Sequence, residues 1–191
     1  MGLFDSLKQA GNAVGQAIDE TAKAVGGKRE TFTFTDIPRS VADLKALPES
    51  DLSTPFKTCA LTMLVLLNYG DNVDATIEML NFLKGPEPMN QFQIQFLRDR
   101  LQGKEYVARS FFEGSSPANN YIPNEPLKIT VFDNPYSYPE AGWATLFMNS
   151  TGADSPRQIK LRLKPSTNQW FLVENQALSD IRIPAAADPW A

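Results

Sequence analysis

The sequence predicts an α+β fold: an N-terminal amphipathic helix, then a helical half packed on an antiparallel sheet. Three observations carry this. Apolar residues recur at helical spacing as far as Gly103. After residue 104 the period falls to two, in the runs YVARSFF, LKITVF, WATLFMN, QIKLRLK and QWFLVE. Turn-rich pieces such as EGSSPANN and DNPYSYPEAG join those runs, so no helices separate the strands as they would in βαβ units.

The first element is MGLFDSLKQAGNAVGQAIDETAKAVGG. At about 3.6 residues per turn, Leu3, Phe4, Leu7, Val14, Ile18 and Val25 share one face with Ala10, Gly11, Thr21 and Ala22. Asp5, Lys8, Gln9, Asn12, Gln16, Asp19, Glu20 and Lys23 take the other. Gly26-Gly27 ends the helix, since glycine supplies a left-handed terminus without strain. The division of faces marks an interfacial helix. Its partner is a membrane surface, another protein, a second copy or its own domain. Asp5, Asp19 and Glu20 offset Lys8 and Lys23, which weakens attraction to anionic lipid. Gly2 with Ser6 also fits the permissive N-myristoylation pattern. Residues 1–27 are therefore expected to be an attachment helix and 28–191 a single α+β domain.

In that domain, alternating Thr31 to Thr35 predicts a short strand. A short helix follows the Pro38–Ser40 region, with Val41, Leu44 and Leu47 on one face, and Pro48 stops it. Thr54-Pro55 opens the next, threonine capping and proline in the first turn. TCALTMLVLLNY is apolar nearly all round, which predicts the central core helix. Asn72 or Asp74 caps another, with Val73, Ile77, Leu80 and Leu83 inward and Gly85-Pro86 at its end. A last helix runs from near Pro88 to Leu101, with Phe92, Phe96 and Leu97 inward. QIKLRLK–PSTN–QWFLVE reads as a hairpin.

The phrases KPSTNQWFL and DIRIP…DPWA are the distinctive parts of residues 152–191. They resemble the C-terminal part of an uncharacterised bacterial domain-of-unknown-function family, and the similarity reaches back to about residue 30. The resemblance implies a bacterial protein with a single domain, and it carries no activity, cofactor or catalytic residue.

Composition narrows the chemistry. The chain has 191 residues, a net charge of −4 and no histidine. Missing histidine removes the commonest metal ligand and general base, which argues against an enzyme while leaving carboxylate, lysine or tyrosine chemistry open; no metal, cofactor or catalytic residue is assigned. The acidic balance makes nucleic acid an unlikely partner. Cys59, the single cysteine, excludes an intrachain disulfide and lies in an apolar helix, where burial makes a thiol inert. The lack of a disulfide framework suits a reducing cytoplasm, with a peripheral place at the inner membrane face if the first helix meets lipid. CALTMLVLL is far short of the ~20 apolar residues that span a bilayer, and the start lacks the basic region of a secretory signal. Asp71, Asn72 and Asp74 lack the later glutamate of a calcium loop and read as helix-capping residues.

Two surfaces remain as binding candidates. Lys160, Arg162 and Lys164 alternate with apolar residues and share a strand face, with Arg157 just before them. That face is either an anion or acidic-partner site, as in an immunity or accessory protein, or a solvated strand face. Tyr121, Tyr136, Tyr138, Trp143 and Trp170 lie in or beside the proline-rich loops, where they either line a cleft or cap the core. Asp133, Glu140 and Tyr138 are the nearest residues for an alternative enzyme reading. Trp190 is expected to tuck against the domain. The leading expectation is a non-enzymatic binding or adaptor protein attached through its first helix to an unknown partner, a second copy or a membrane.

Overall fold

A computed structural model describes residues 27–190. The expected helix over residues 2–25, with its Leu3, Phe4, Leu7, Val14, Ile18 and Val25 face, lies outside the described residues.

The architecture is α+β. Five strands, β1 (Arg29–Phe34), β2 (Leu127–Phe132), β3 (Trp143–Met148), β4 (Arg157–Lys164) and β5 (Gln169–Asn175), form one antiparallel sheet in the order β1-β2-β3-β4-β5. The helices α1 (Val41–Ala46), α2 (Pro55–Leu66), α3 (Val73–Lys84), α4 (Gln91–Leu101) and α5 (Tyr106–Arg109) all fall between β1 and β2. The whole helical half is therefore one long connection inside a sheet whose strands are neighbours in chain order.

Alternation decides which strand face is covered. Phe32 and Phe34 of β1, Ile129 and Val131 of β2, Leu146 and Met148 of β3, and Ile159 and Leu161 of β4 are buried. α2 lies across this face, touching β2, β3, β4 and β5. Thr54 caps it by accepting the Lys57 N–H, Pro55 occupies its first turn, and every residue except Lys57 is buried. A helix apolar all round needs neighbours on all sides, and α3 supplies the side away from the sheet. Asn72, not Asp74, caps α3 by accepting the Ala75 N–H.

Four local expectations are corrected. YVARSFF holds helix α5, not a strand. Val107, Ala108, Phe111 and Phe112 are all buried, and their spacing also fits one helical face, so a run this short is ambiguous between the two periods. On α3 the buried stripe is Thr76, Met79, Leu80, Leu83 and Lys84, and Val73 in the first turn is 38% exposed. On α4 only Leu97 and Leu101 are buried; Phe92 is 79% exposed. The N-terminal turns of α4 project past the core, so their apolar residues line a groove instead. Trp190 is 93% exposed rather than tucked in.

Candidate functional site

A sheet edge presents unpaired backbone groups that must be satisfied or shielded. At the β5 edge three polar contacts do this. The Trp170 N–H donates to the Leu52 carbonyl at 2.8 Å. The Trp170 carbonyl accepts from Thr58 Oγ1 of α2 at 2.7 Å. The Val173 carbonyl accepts from Lys84 Nζ at 3.1 Å. Lys84 ends α3, and Gly85 follows at φ +61° with its N–H on the Asn81 and Phe82 carbonyls. That turn places the lysine stem along the strand.

Beyond the tied edge, α4 stands away from β5. A groove of about 560 Å³ separates them, with Leu80, Met89, Phe92, Phe96, Leu97 and Leu172 as its apolar walls. Glu174, Gln176 and Ser179 line its polar rim. A second hollow of about 260 Å³ adjoins it, lined by Pro86, Glu87, Arg162, Lys164, Pro165 and Phe171. Lys84, Leu172 and Val173 line both. Lys84 is 7% exposed. Burial lowers its pKa from the ordinary lysine value, and the charge of Glu87 works against that shift. No carboxylate of the described residues forms an ion pair with it. Among the described residues its ammonium therefore has one acceptor for three donors.

The basic strand residues separate. Lys160, Arg162 and Lys164 take the sheet face opposite α2, as the alternation predicts. Lys160 pairs with Glu174 at 3.2 Å. The Arg162 guanidinium lies 5.0 Å from the Trp143 ring centre, and Arg162 and Lys164 line the smaller hollow. Arg157 does not join them. Its guanidinium donates to the Ser155, Ser179 and Asp180 carbonyls and holds the C-terminal segment instead.

The aromatic residues do not share one cleft. Tyr121 is fully buried, stacks on Tyr106 at 5.6 Å and donates to the Arg182 carbonyl at 2.7 Å. Gly152 makes room for it: a Cβ there would lie 2.5 Å from the Tyr121 hydroxyl. Trp170 packs against the core beside α2. Tyr136 and Tyr138 sit exposed on the loop before β3, and Trp143 lies under Arg162.

Asp133 accepts the Lys28 N–H at 2.6 Å and the Tyr138 hydroxyl at 3.3 Å. Partial burial, the Asp133 charge and that hydrogen bond push the Tyr138 pKa up to about 12. A phenol held neutral is a poor base at neutral pH. Among the described residues no group of three or more cysteine, aspartate or glutamate side chains could hold a metal, and no helix is long and apolar enough to cross a membrane.

Cys59 is fully buried, 3.7 Å from Met148 Sδ. Burial pushes its thiol far above the ordinary range. In native protein at neutral pH it should label no faster than the chain unfolds, as a thiol-reagent time course with and without denaturant will show. Stoichiometric labelling within the mixing time would return Cys59 to the list of nucleophiles.

A family model described as a domain of unknown function, DUF6935, matches residues 36–185. The chain belongs to the DUF6935 family. The match runs from just after β1 to the C-terminal segment and takes in both walls of the groove. No curated protein and no solved structure matches the chain.

Lys84, Met89 and Phe171 of this DUF6935 protein are not among the binding residues that the sequence points to. Lys84 carries a legible signal: it lies four residues after Leu80 on the inward face of α3, where a charge is placed only when its head finds a partner. Phe171 carries none, because its contact with the end of α3 is set by the hairpin.

Proposed function

We propose that this DUF6935 protein is a non-enzymatic binding or adaptor protein of the bacterial cytoplasm, with the α4–β5 groove as its binding surface. The amphipathic pattern of residues 2–25 then serves as a tether to another protein, a second copy or a membrane face. One observation carries the reading. Phe92 stands 79% exposed at the lip of an apolar groove whose floor is buried Leu80, Leu97 and Leu172. A large exposed aromatic costs solubility, and a concave apolar wall with a few polar groups at its rim is the usual form of a binding site. The engagement of Asp133 with Lys28 and Tyr138 favours binding over acid–base chemistry in the loops.

The test uses Nile red, a neutral dye whose emission shifts to the blue in apolar surroundings. The full chain should bind it saturably. Phe92→Ser/Phe96→Ser should weaken binding at least tenfold, and Phe92→Ser alone, at the 79% exposed position, should weaken it without changing the unfolding midpoint. Absence of saturable binding, or equal binding by the double variant, would sink the reading.

A further inference from the structure

The two hollows along β5 differ in chemistry, yet they share Lys84, Leu172 and Val173. The larger is walled by Leu80, Met89, Phe92, Phe96, Leu97 and Leu172. The smaller carries the cations Arg162 and Lys164 against the single carboxylate of Glu87. Lys84 lies where they join, 7% exposed, with the Val173 carbonyl as its one acceptor among the described residues. Arg162 and Lys164 have no carboxylate partner among the described residues, whereas Lys160 on the same strand face is paired with Glu174. An apolar trough thus leads to a pocket with three cations and one anion.

We infer that the groove binds a single-chain amphiphile with an anionic head, its hydrocarbon chain along α4 and its carboxylate or phosphate between Lys84, Arg162 and Lys164. This rests on the groove being a binding site and adds what occupies it. The volume of about 560 Å³ lies in the usual range for small-molecule pockets. The chain is held by burial, which scales with its length. The head is held by charge-assisted hydrogen bonds, the strongest of which involves the buried Lys84 ammonium, because water there competes least. An extended peptide adding to the β5 edge fits less well. Trp170 and Val173, whose backbone groups such a strand would need, are already bonded to Leu52, Thr58 and Lys84.

The probes are four decyl compounds competing with Nile red: decanoate, decyl phosphate, decanol and decyltrimethylammonium. Both anions should displace the dye at concentrations at least tenfold below decanol, and the cation should be the weakest. Inorganic phosphate alone, a head without a chain, should not displace it. Arg162→Gln/Lys164→Gln, at exposed positions, should lower the preference for the anions over decanol at least fivefold and leave the decanol value unchanged. Lys84→Met should do the same if it folds. Equal potency of decanol and decyl phosphate would overturn the inference and leave the groove as a neutral apolar site. An unchanged preference in the Arg162/Lys164 variant would overturn it too, as would tighter competition by an acidic amphipathic peptide. Failure of Nile red to bind at all is a different result and removes the binding role itself.

Discussion

Leu64→Ala should destabilise the protein by about 3 kcal/mol, while Phe92→Ser shifts stability by less than ~0.5 kcal/mol. Both are large apolar residues on helices, and a sequence window treats them alike. Leu64 is fully buried in α2, between the sheet and α3. Removing its branched end leaves a void that close-packed neighbours on both sides cannot collapse to fill, so the lost transfer energy and the cavity add. Phe92 is 79% exposed. Most of its ring is in water before and after unfolding, so there is little burial to lose. Urea denaturation of both variants decides this. A Leu64→Ala loss under ~1 kcal/mol would mean that the α2–sheet interface yields more than a close-packed core does. A comparable loss for Phe92→Ser would place its ring in the core and close the groove.

The same contrast shows what the sequence could disclose. α2 was legible because its apolar run has no polar face at all, and only a central position satisfies such a helix. The β4–β5 hairpin was legible from its alternation and its PSTN loop, where Asn168 takes a positive φ of 53°. The pairing of β1 with β2 was not, because the whole helical half intervenes and no local signal spans it. The α4 face misled for a related reason. Phe92, Phe96 and Leu97 repeat at helical spacing whether the stripe meets a core or a groove, and periodicity records a face without recording what lies opposite. The candidate site is assembled from α3, α4, β4 and β5, so its shape exists only after packing. Of its residues, Arg162 and Lys164 were visible beforehand as a charged strand face. Their meeting with Lys84 was not, since it depends on where α3 stops against the sheet edge.

That stopping point gives the second large effect. Gly85→Ala should cost at least about 3 kcal/mol, from two separable causes. Gly85 takes φ +61° and ψ −116°, a region open essentially to glycine alone. A methyl group there also lands 2.4 Å from Cδ1 and 2.5 Å from Cε1 of Phe171. The ring is not free to move without loss, since it packs against the core margin and forms one wall of the smaller hollow. Phe171→Ala removes the obstacle and leaves the backbone strain. In a double-mutant cycle the pair should therefore cost about 1–2 kcal/mol less than the sum of the single changes. The binding readout should follow the geometry. Gly85→Ala displaces the end of α3 and with it Lys84, so the preference for decyl phosphate over decanol should fall while the apolar part of the groove still takes Nile red. An additive cycle would show that the Gly85–Phe171 approach is not a constraint. A Gly85→Ala variant as stable as the parent would show that α3 can end otherwise, and that the position of Lys84 does not depend on this turn.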